Sequence, residues 1–399
     1  MNKKILISGA SIAGPALAYW LHKYGFQPTI VEKSPILRGG GYKVDIRGVA
    51  IKVIEKMGLI QEIRQNDTNM RGGTYVNKEN KPLATMSADI FNLRSEGDAE
   101  VMRGNLANIL YHHTKDDVEY IFGDSISSIA EDDDGVIVTF EKGEPRTFDL
   151  VIGADGLHSN VRKLVFGDES PFINHLGFYV ATFTIPNYLN LDQWELYFHA
   201  PEKVVSIYST KKQAEAKSFF AFKSPLPSYD HHDKEQQKGL LADAFSGVGW
   251  QIPQLLMYMD DTEDFYFDSM SQVEMDHWSI GRTVLLGDAA YCGSPASGQG
   301  TSMALVGAYV LAGELASSSG DHHLAFTRYE SKMRNFVQKN QQLALDLIDD
   351  FIPKSKTQIF FRSQMIRLLP YLPGKKLILG KMLDQVEQAA NAIFLEDYT

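Results

Sequence analysis

The sequence is poor in cysteine, in positive charge and in long apolar runs, and each shortage removes a class of protein. One cysteine, Cys292, cannot build an internal disulfide framework and is typical of a reducing compartment. The 39 Lys and Arg residues are outnumbered by 50 Asp and Glu residues, so nucleic acid is not an expected partner at a net charge of −11. The longest apolar stretch, residues 303–316, contains Glu314 and is short of a membrane span.

The first residues also lack the pattern of a secretion signal, because only Ile5, Leu6 and Ile7 form an apolar run before Ser8. We therefore expect a cytoplasmic monomer without membrane contact. Residues 352–382 hold several basic side chains and no acidic one, which allows two interpretations. The segment is either an amphipathic helix at a membrane surface or a helix packed across two domains, and we favour the second.

What the chain does contain is a βαβ pattern at its N-terminus. The turn from Gly9 to Gly14 follows an apolar strand and opens a helix, and the second strand ends in Glu32. Such a turn suits a dinucleotide pyrophosphate, and an acid at this position accepts hydrogen bonds from ribose hydroxyls. Ser11 replaces the middle glycine of the usual pattern, so the turn alone is also compatible with a tight turn that has no ligand.

A second glycine-rich turn lies far along the chain. The apolar strand 283–286 is followed by Gly287-Asp288, then by Pro295 and by Gly298-Gln299-Gly300, where a helix begins. The aspartate can hold a ribityl hydroxyl, and a helix N-terminus favours the anion of a reduced flavin. Between the two turns, Asp155-Gly156 ends another buried strand. Three such signals in this order predict an FAD site.

Two arginine-containing segments are further candidates for the cofactor. Arg38 and the glycines 39–41 precede Asp45 and Arg47, and glycines beside arginines suit a chain that wraps over phosphates and ribityl oxygens. An exposed basic loop is the alternative. Arg103, just before a predicted helix, either binds the cofactor or pairs with a nearby acid.

The order of these elements predicts an α/β protein with two domains. Residues 1–170 and 277–320 are expected to form a Rossmann-like FAD-binding domain. Residues 171–276 contain aromatic, strand-like runs and predict an inserted, mostly antiparallel β-sheet domain for the substrate. Residues 321–399 predict C-terminal helices that bridge the two domains.

No pattern predicts a metal site or a hydrolase. The histidine pairs at 112–113, 231–232 and 322–323 are adjacent residues and lack the i, i+4 spacing of a helical metal site. The sequence has no G-x-S-x-G nucleophile elbow. We therefore expect no metal and assign no catalytic side chain, because the hard chemistry would belong to the cofactor.

With these motifs the chain resembles the class A flavoprotein monooxygenases of the para-hydroxybenzoate hydroxylase type over nearly all of its length. Three motifs of that family match: Gly9-x-Ser11-x-x-Gly14, Asp155-Gly156 with Arg162, and Gly287-Asp288 with Pro295 and Gly298-Gln299-Gly300. Within the family the chain is most similar to the tetracycline destructases. This similarity lies in residues 40–48, 101–106, 183–189 and 287–300.

The resemblance implies that NADPH (or NADH) reduces FAD and that O2 then supplies an oxygen atom to a tetracycline or to another electron-rich phenol or enol. Combining motifs and resemblance, we predict cofactor contacts at Gly9, Ser11, Ala13, Gly14, Glu32, Lys33, Arg38, Gly40, Asp45, Arg47, Arg103, Leu106, Asp155, Gly287, Asp288, Pro295, Gly298 and Gly300. Predicted substrate contacts are Tyr42, Phe183, Phe198, Phe220 and Phe222, although aromatic residues of a sheet serve equally well as core. A flavin oxidoreductase that does not oxygenate and a non-catalytic drug binder remain the alternative classes.

Overall fold

A computed structural model of the chain describes residues 3–37, 39–88, 94–210, 214–225, 229–231, 233–368 and 375–398. Its strands are β1 (Lys4–Ser8), β2 (Gln27–Glu32), β3 (Lys43–Ile46), β4 (Gly72–Val76), β5 (Pro82–Ser87), β6 (Ala99–Met102), β7 (Glu119–Phe122), β8 (Ile126–Glu131), β9 (Val136–Phe140), β10 (Arg146–Phe148), β11 (Leu150–Gly153), β12 (Ile173–Pro186), β13 (Trp194–Ala200), β14 (Lys203–Ser209), β15 (Glu215–Lys223), β16 (Tyr266–Val273), β17 (Ser279–Ile280) and β18 (Thr283–Leu285). Its helices are α1 (Ala13–Lys23), α2 (Val49–Lys56), α3 (Ile60–Gln65), α4 (Arg103–His112), α5 (Asn160–Phe166), α6 (Lys234–Phe245), α7 (Ile252–Asp261), α8 (Asp288–Tyr291), α9 (Gly300–Ser317), α10 (His322–Phe351), α11 (Lys356–Leu368) and α12 (Lys375–Ala390).

Three distant segments of the chain meet in one mostly parallel sheet, which we call the Rossmann sheet. Its strands run in the order β17-β18-β11-β1-β2-β7. β1 pairs in parallel with β2 and with β11, and β11 pairs in parallel with β18. Residues Ile5, Leu6 and Ile7 of β1 are fully buried, as expected for a parallel strand that is covered on both faces. The predicted α/β character of the protein is confirmed.

Helix α9 is buried along almost its whole length, because small residues let its neighbours approach closely. A side chain on Gly307 would overlap the Tyr291 hydroxyl, and one on Gly313 would overlap the Tyr398 ring. The helix packs against α1, α2 and α10. A helix that is apolar on every face belongs in the interior, and here it holds its N-terminus in a fixed position.

A second, larger sheet, which we call the insert sheet, has the strand order β16-β12-β15-β14-β13-β4-β5. Its neighbours pair antiparallel except for β13 and β4, which are parallel. β4 and β5 come from the segment that the sequence assigned to the FAD-binding domain, so the boundary at residue 170 is wrong for residues 72–87. Their short length carries no signal that would tell to which sheet they belong.

Alternation along its strands gives the insert sheet two different faces. One face packs against α6 and α7, with Phe183, Phe220 and Phe222 in that core. The opposite face carries Tyr75 and Tyr197, which pack in one cluster with residues of α10 and α11. Ala296 of the segment between Gly287 and Gly300 packs against this second face.

The C-terminal helices touch both parts of the molecule. α11 packs against β5 and β13 of the insert sheet, while α12 packs against α10. At the end of α12, the Ala390 carbonyl lies so close to Gly48 that a side chain on this glycine would collide with it. Within the described ranges, no helix has both the length and the apolar character needed to cross a bilayer.

Candidate active site

The first glycine turn is built for close approach of backbone to backbone. Gly9 has a φ of +109°, and its N–H donates to the Val31 carbonyl at 2.8 Å. A side chain on Gly9 would meet the Ala154 carbonyl, and one on Gly14 would overlap the Gly9 carbonyl oxygen. The turn therefore joins β1, β2 and β11 in a way that only glycine permits, and it opens α1 without a side-chain cap.

Glu32 lies beside this turn, as the sequence predicted. Its carboxylate accepts hydrogen bonds from the backbone N–H groups of Ala10 and Ser34, each at 2.9 Å. Lys33 follows it and is exposed, whereas Leu106 is fully buried in the core beneath. Glu32 is thus held at the end of β2 in the position where an acid meets a ribose.

Arg103 connects the first turn to the segment before β3. Its guanidinium donates to the Ser11 hydroxyl at 2.8 Å, and its backbone N–H donates to the Tyr42 carbonyl at 3.0 Å. Gly41 has a φ of +113°, and a Cβ there would lie 2.7 Å from the Arg103 side chain. A Cβ on Gly40 would lie 2.9 Å from the Asp264 side chain of the insert, and Arg38 lies outside the described residues.

β3 crosses in front of the N-terminus of α9. The backbone N–H of Arg47 donates to the Ser302 hydroxyl at 3.0 Å, and the Arg47 guanidinium lies 2.8 Å from the Asp45 carboxylate. Burial raises the pKa of Asp45 above its ordinary value. Gly298, exposed and left-handed at φ +62°, sits opposite this carboxylate. The predicted residues Asp45 and Arg47 are therefore brought to the third motif.

The first and third motifs face each other across a narrow gap. Gly287 has a φ of +65°, and a Cβ on it would lie 3.4 Å from the Ala13 side chain. A Cβ on Gly300 would find the Asp288 carboxylate at 3.8 Å, which is ordinary contact distance. Burial raises the pKa of Asp288. Pro295 starts the short helical turn Pro295–Ser297 at the exposed rim of this site.

The side chain of Gln299 gives the strongest indication of a missing ligand. Gln299 is fully buried, yet neither its amide oxygen nor its amide nitrogen has a partner among the described residues. The Asp45 Oδ1 atom is also buried without a hydrogen-bond partner among the described residues. Helix α9 begins here without a side-chain cap, so its first N–H groups point at the same space. Polar atoms buried without partners cost free energy, and a bound group with many acceptors and donors would satisfy them. The site fits the ribityl chain and ring of FAD.

Asp155 has a structural role that the sequence did not suggest. Its carboxylate accepts from the Ser159 hydroxyl, from the Val161 backbone N–H at 3.1 Å and from the Ser8 hydroxyl at 3.3 Å. These bonds hold the start of α5 against β1. The carboxylate therefore has a capping role, and the predicted cofactor contact of Asp155 stays a prediction.

Comparison with known proteins gives the family. Residues 2–344 match the family model of the FAD binding domain. A flavin-dependent monooxygenase of Legionella longbeachae is 41% identical over 355 residues, 89% of this chain and 91% of its own length. This chain belongs to the FAD-dependent monooxygenases. An uncharacterized protein of Mycobacterium tuberculosis is 45% identical over 353 residues, 88% of this chain and 95% of that protein. The crystal structure of tetracycline destructase Tet(51) superimposes with a TM-score of 0.88 at 38% identity, and each chain is covered completely.

Arg162 is a structural residue of this site to which the residue patterns gave no role. Its guanidinium is fully buried and donates to the Ala289 carbonyl at 2.9 Å and to the Leu157 carbonyl at 2.6 Å. Ala289 belongs to the turn that carries Asp288. The second motif thus holds the third motif in place. In the sequence, only the family resemblance linked Arg162 to the second motif.

The sequence also did not predict a buried ionic cluster. Lys43 lies 2.5 Å from the Glu195 carboxylate and 3.8 Å from that of Glu100, and its backbone N–H donates to the Tyr208 hydroxyl at 3.2 Å. These side chains come from β3, β6, β13 and β14. The cluster fastens the strand that carries Asp45 to the insert sheet, across the boundary between the two domains.

The predicted substrate contacts divide between the two faces of the insert sheet. Phe183, Phe220 and Phe222 are on the face that packs against α6 and α7, away from the flavin-binding segments. Alternation places their neighbours in sequence, and not these rings, on the facing side. The prediction that they contact substrate is therefore not supported by their packing. Tyr42 lies on the flavin side, with its ring centroid 6.1 Å from that of Tyr266, and burial raises its pKa to about 12.

A cavity of about 490 Å³ lies between the insert sheet and α11. Its wall includes Tyr75, Tyr197 and His199 of the sheet. The predicted substrate contact Phe198 also lines it, although its buried ring stacks on Trp250 and belongs to the core beside α6 and α7. The lining also contains four cations and no carboxylate among the described residues: Lys78, Lys203, Lys356 and Arg362. Such a lining is unusual in a chain with a net charge of −11.

His199 in this cavity provides a test by pH. Burial, reinforced by the charge of Arg362, lowers the pKa of His199 to about 3. Between roughly pH 6.5 and pH 3 the unfolded chain therefore binds a proton that the folded chain does not, so this group makes stability fall as pH falls. The slope is at most about 1.4 kcal/mol per pH unit, and less where water reaches the half-buried ring. We expect urea unfolding of a His199→Gln variant to show a shallower loss of stability between pH 6.5 and 5 than the parent protein. Equal slopes would contradict a neutral His199.

Proposed function

We propose that this monooxygenase uses NADPH and O2 to oxygenate an anionic, electron-rich phenol or enol, and that tetracyclines are its substrates. The observation that carries the proposal is the cationic lining of the cavity beneath α11, whose described residues include Lys78, Lys203, Lys356 and Arg362 and no carboxylate. Phenols and enols react with electrophilic oxygen through their ionised forms. A pocket that favours the anion therefore also favours the reactive species.

The size of the cavity and the resemblance to a solved structure support a polycyclic substrate. A volume of about 490 Å³ lies within the range of sites for drug-sized molecules. Tyr75 and Tyr197 offer flat aromatic walls, and Ala296 of the flavin loop packs against the cluster that contains both rings. The likeness to tetracycline destructase Tet(51) over the whole chain supports a substrate of the same class.

Each group of residues has a separate task in this proposal. Bound FAD would accept hydride from the nicotinamide and activate O2 for transfer of one oxygen atom to the substrate. Gly9, Glu32 and Arg103 would hold its pyrophosphate and ribose end. Asp45, Asp288 and Gln299 would hold its ribityl chain and ring, and the N-terminus of α9 would stabilise negative charge on the reduced ring.

No general base is needed for this reaction, because the substrate ionises on its own. The chain's contribution is to orient the two reactants and to exclude water, which the buried face of the insert sheet and α11 would do. In the overall reaction NADPH, H⁺, O2 and substrate give NADP⁺, H2O and a product that is heavier by one oxygen atom.

The test is to incubate the yellow holoprotein with NADPH and tetracycline in air, and to follow drug absorbance, O2 consumption and product mass. We expect loss of the drug with addition of one oxygen atom, dependent on both NADPH and O2. An unchanged drug beside a flavin that NADPH reduces would overturn the tetracycline assignment and leave hydroxylation of another phenolic compound.

A charge variant tests the role of the cavity. Arg362→Gln is expected to raise KM for tetracycline about tenfold, corresponding to loss of about 1.4 kcal/mol of ion pairing, while FAD reduction by NADPH persists. Arg328→Gln on the exposed face of α10 is the matched control. An unchanged KM in Arg362→Gln would place the substrate elsewhere.

A further inference from the structure

Helix α11 has two faces in different surroundings. Ile359, Ser363 and Ile366 stand at i, i+4 and i+7 and line the cavity against the insert sheet, so this face is covered by protein. The other side of the helix carries four large apolar side chains that are more than half exposed: Phe360 (58%), Phe361 (65%), Met365 (51%) and Leu368 (53%). We call these four residues the docking face.

The docking face is a continuous surface. Phe361, Met365 and Leu368 stand at i, i+4 and i+7, so they form one row along the helix. The two outward positions between this row and Phe360 are uncharged: Thr357 and Gln364. Single exposed apolar residues are ordinary on protein surfaces, whereas an exposed apolar group of this kind marks a contact site.

The segment that carries the docking face is basic, although the chain as a whole is acidic. Residues 352–382 hold seven basic side chains and no acidic one, in a chain with a net charge of −11. Lys356 and Arg367 are exposed on the same side of α11 as Phe360, at the edge of the docking face. Basic side chains in this position can reach lipid headgroups while the apolar side chains enter the boundary of the acyl chains. The charge and the apolar surface together favour a partner that is negative outside and apolar inside.

We propose that the docking face of α11 binds the surface of an anionic lipid bilayer, with the helix lying along that surface. This departs from the expectation of a protein without membrane contact. It also unites the two interpretations of residues 352–382, because one face of α11 packs on the protein and the other faces lipid. The proposal requires no particular substrate, so it does not depend on the proposed oxygenation of tetracyclines.

A second copy of the chain fits the docking face less well than lipid does. Four side chains at this exposure offer on the order of 400 Å², about half of the roughly 800 Å² that each partner gives to a standard stable interface. A two-fold contact also places the same surface of both copies together. Lys356 and Arg367 would then meet their own counterparts, and this repulsion opposes the contact.

The experiment is sedimentation of the FAD-loaded protein with sucrose-filled vesicles, followed by the flavin absorbance of the pellet. Vesicles of equimolar phosphatidylcholine and phosphatidylglycerol are compared with vesicles of phosphatidylcholine alone. We expect binding to the anionic vesicles to be at least about tenfold tighter, and to weaken as salt is added because salt screens the attraction. Absence of binding, or equal binding to the two kinds of vesicle, would overturn the proposal.

Two variants test whether α11 is the part of the chain that contacts lipid. Phe360→Ser/Phe361→Ser should weaken binding to the anionic vesicles more than about tenfold, because both rings leave water in the bound state. Arg367→Glu should weaken it about tenfold or more, because it replaces an attractive charge with a repulsive one. All three side chains are exposed, so the melting temperature and flavin content should match those of the parent protein.

Each variant has a matched control outside α11. Phe394→Ser removes a ring that is 84% exposed, and Arg328→Glu reverses an exposed charge on α10, so both should bind vesicles as the parent does. Equal binding by the parent and by Phe360→Ser/Phe361→Ser would overturn the assignment to α11. A lipid-free dimer in sedimentation velocity that Phe361→Ser dissociates would also overturn it, and would assign the docking face to a second copy of the chain.

Discussion

Replacing Arg162 with alanine is expected to lower the free energy of unfolding by about 3–5 kcal/mol and to reduce the FAD content of the purified protein. The loss is large because the fully buried guanidinium donates to the carbonyls of Ala289 and Leu157, and both acceptors would be left in a dry interior. Ala289 follows directly on Asp288, so loosening one carbonyl loosens the turn that we expect to hold the ribityl chain. Urea unfolding and the ratio of flavin to protein absorbance measure the two effects.

Arg328→Ala separates this effect from the general loss of an arginine, since Arg328 is exposed on α10. The Arg328→Ala substitution should lower the free energy of unfolding by no more than about 0.5 kcal/mol. The free energy of unfolding of Arg162→Ala could instead stay within about 1 kcal/mol of the parent value, with full flavin content. The third motif would then not depend on Arg162 for its position.

A Gly9→Ala substitution should be comparably severe, with an expected cost of about 2–6 kcal/mol and loss of bound flavin. Two penalties add here. The backbone at φ +109° is strained for any residue with a Cβ, at about 1–3 kcal/mol, and the new Cβ would press on the Ala154 carbonyl, at about 1–3 kcal/mol. Relief of the collision would push β1 away from β11, next to the expected pyrophosphate position.

The matched control is Gly239→Ala in α6, where a Cβ meets nothing within 4 Å. Because alanine is the better helix former, this variant should be unchanged or stabilised by up to about 1 kcal/mol. Thermal melting with and without added FAD compares the two. A Gly9→Ala protein that melts within a few degrees of the parent and binds FAD normally would show that the turn tolerates a side chain.

The sequence predicted those parts of the molecule whose signals are local. The turns around Gly9 and Gly287 demand glycine because of their own backbone, and Glu32 and Asp288 follow strands that their apolar runs reveal. The residue patterns made Arg47 and Arg103 candidates, the resemblance assigned both to the cofactor, and the structure brings them to these turns. Such features can be predicted from the sequence because each depends on a few consecutive residues.

What the sequence could not predict depends on contacts between distant segments. Phe183 and Phe220 lie on the face away from the flavin site, and a strand buried on both faces gives no pattern that tells one face from the other. β4 and β5 join the insert sheet, although they precede it by about a hundred residues. The buried amide of Gln299 is likewise visible only once its surroundings are known to offer it no partner among the described residues.

The Rossmann sheet has a consequence for how the protein is made in the cell. Ile5 pairs with Leu150 and Val151 with Thr283, so the N-terminal strand emerges from the ribosome long before its neighbours exist. At about 5–20 residues per second, synthesis up to β18 takes on the order of 15 to 60 seconds. During this interval the apolar N-terminal strand has nothing to cover it on one edge, which is a condition that favours aggregation of the unfinished chain. Asp288 and Gly300, which we expect to contact the flavin, are added only at the end of that interval.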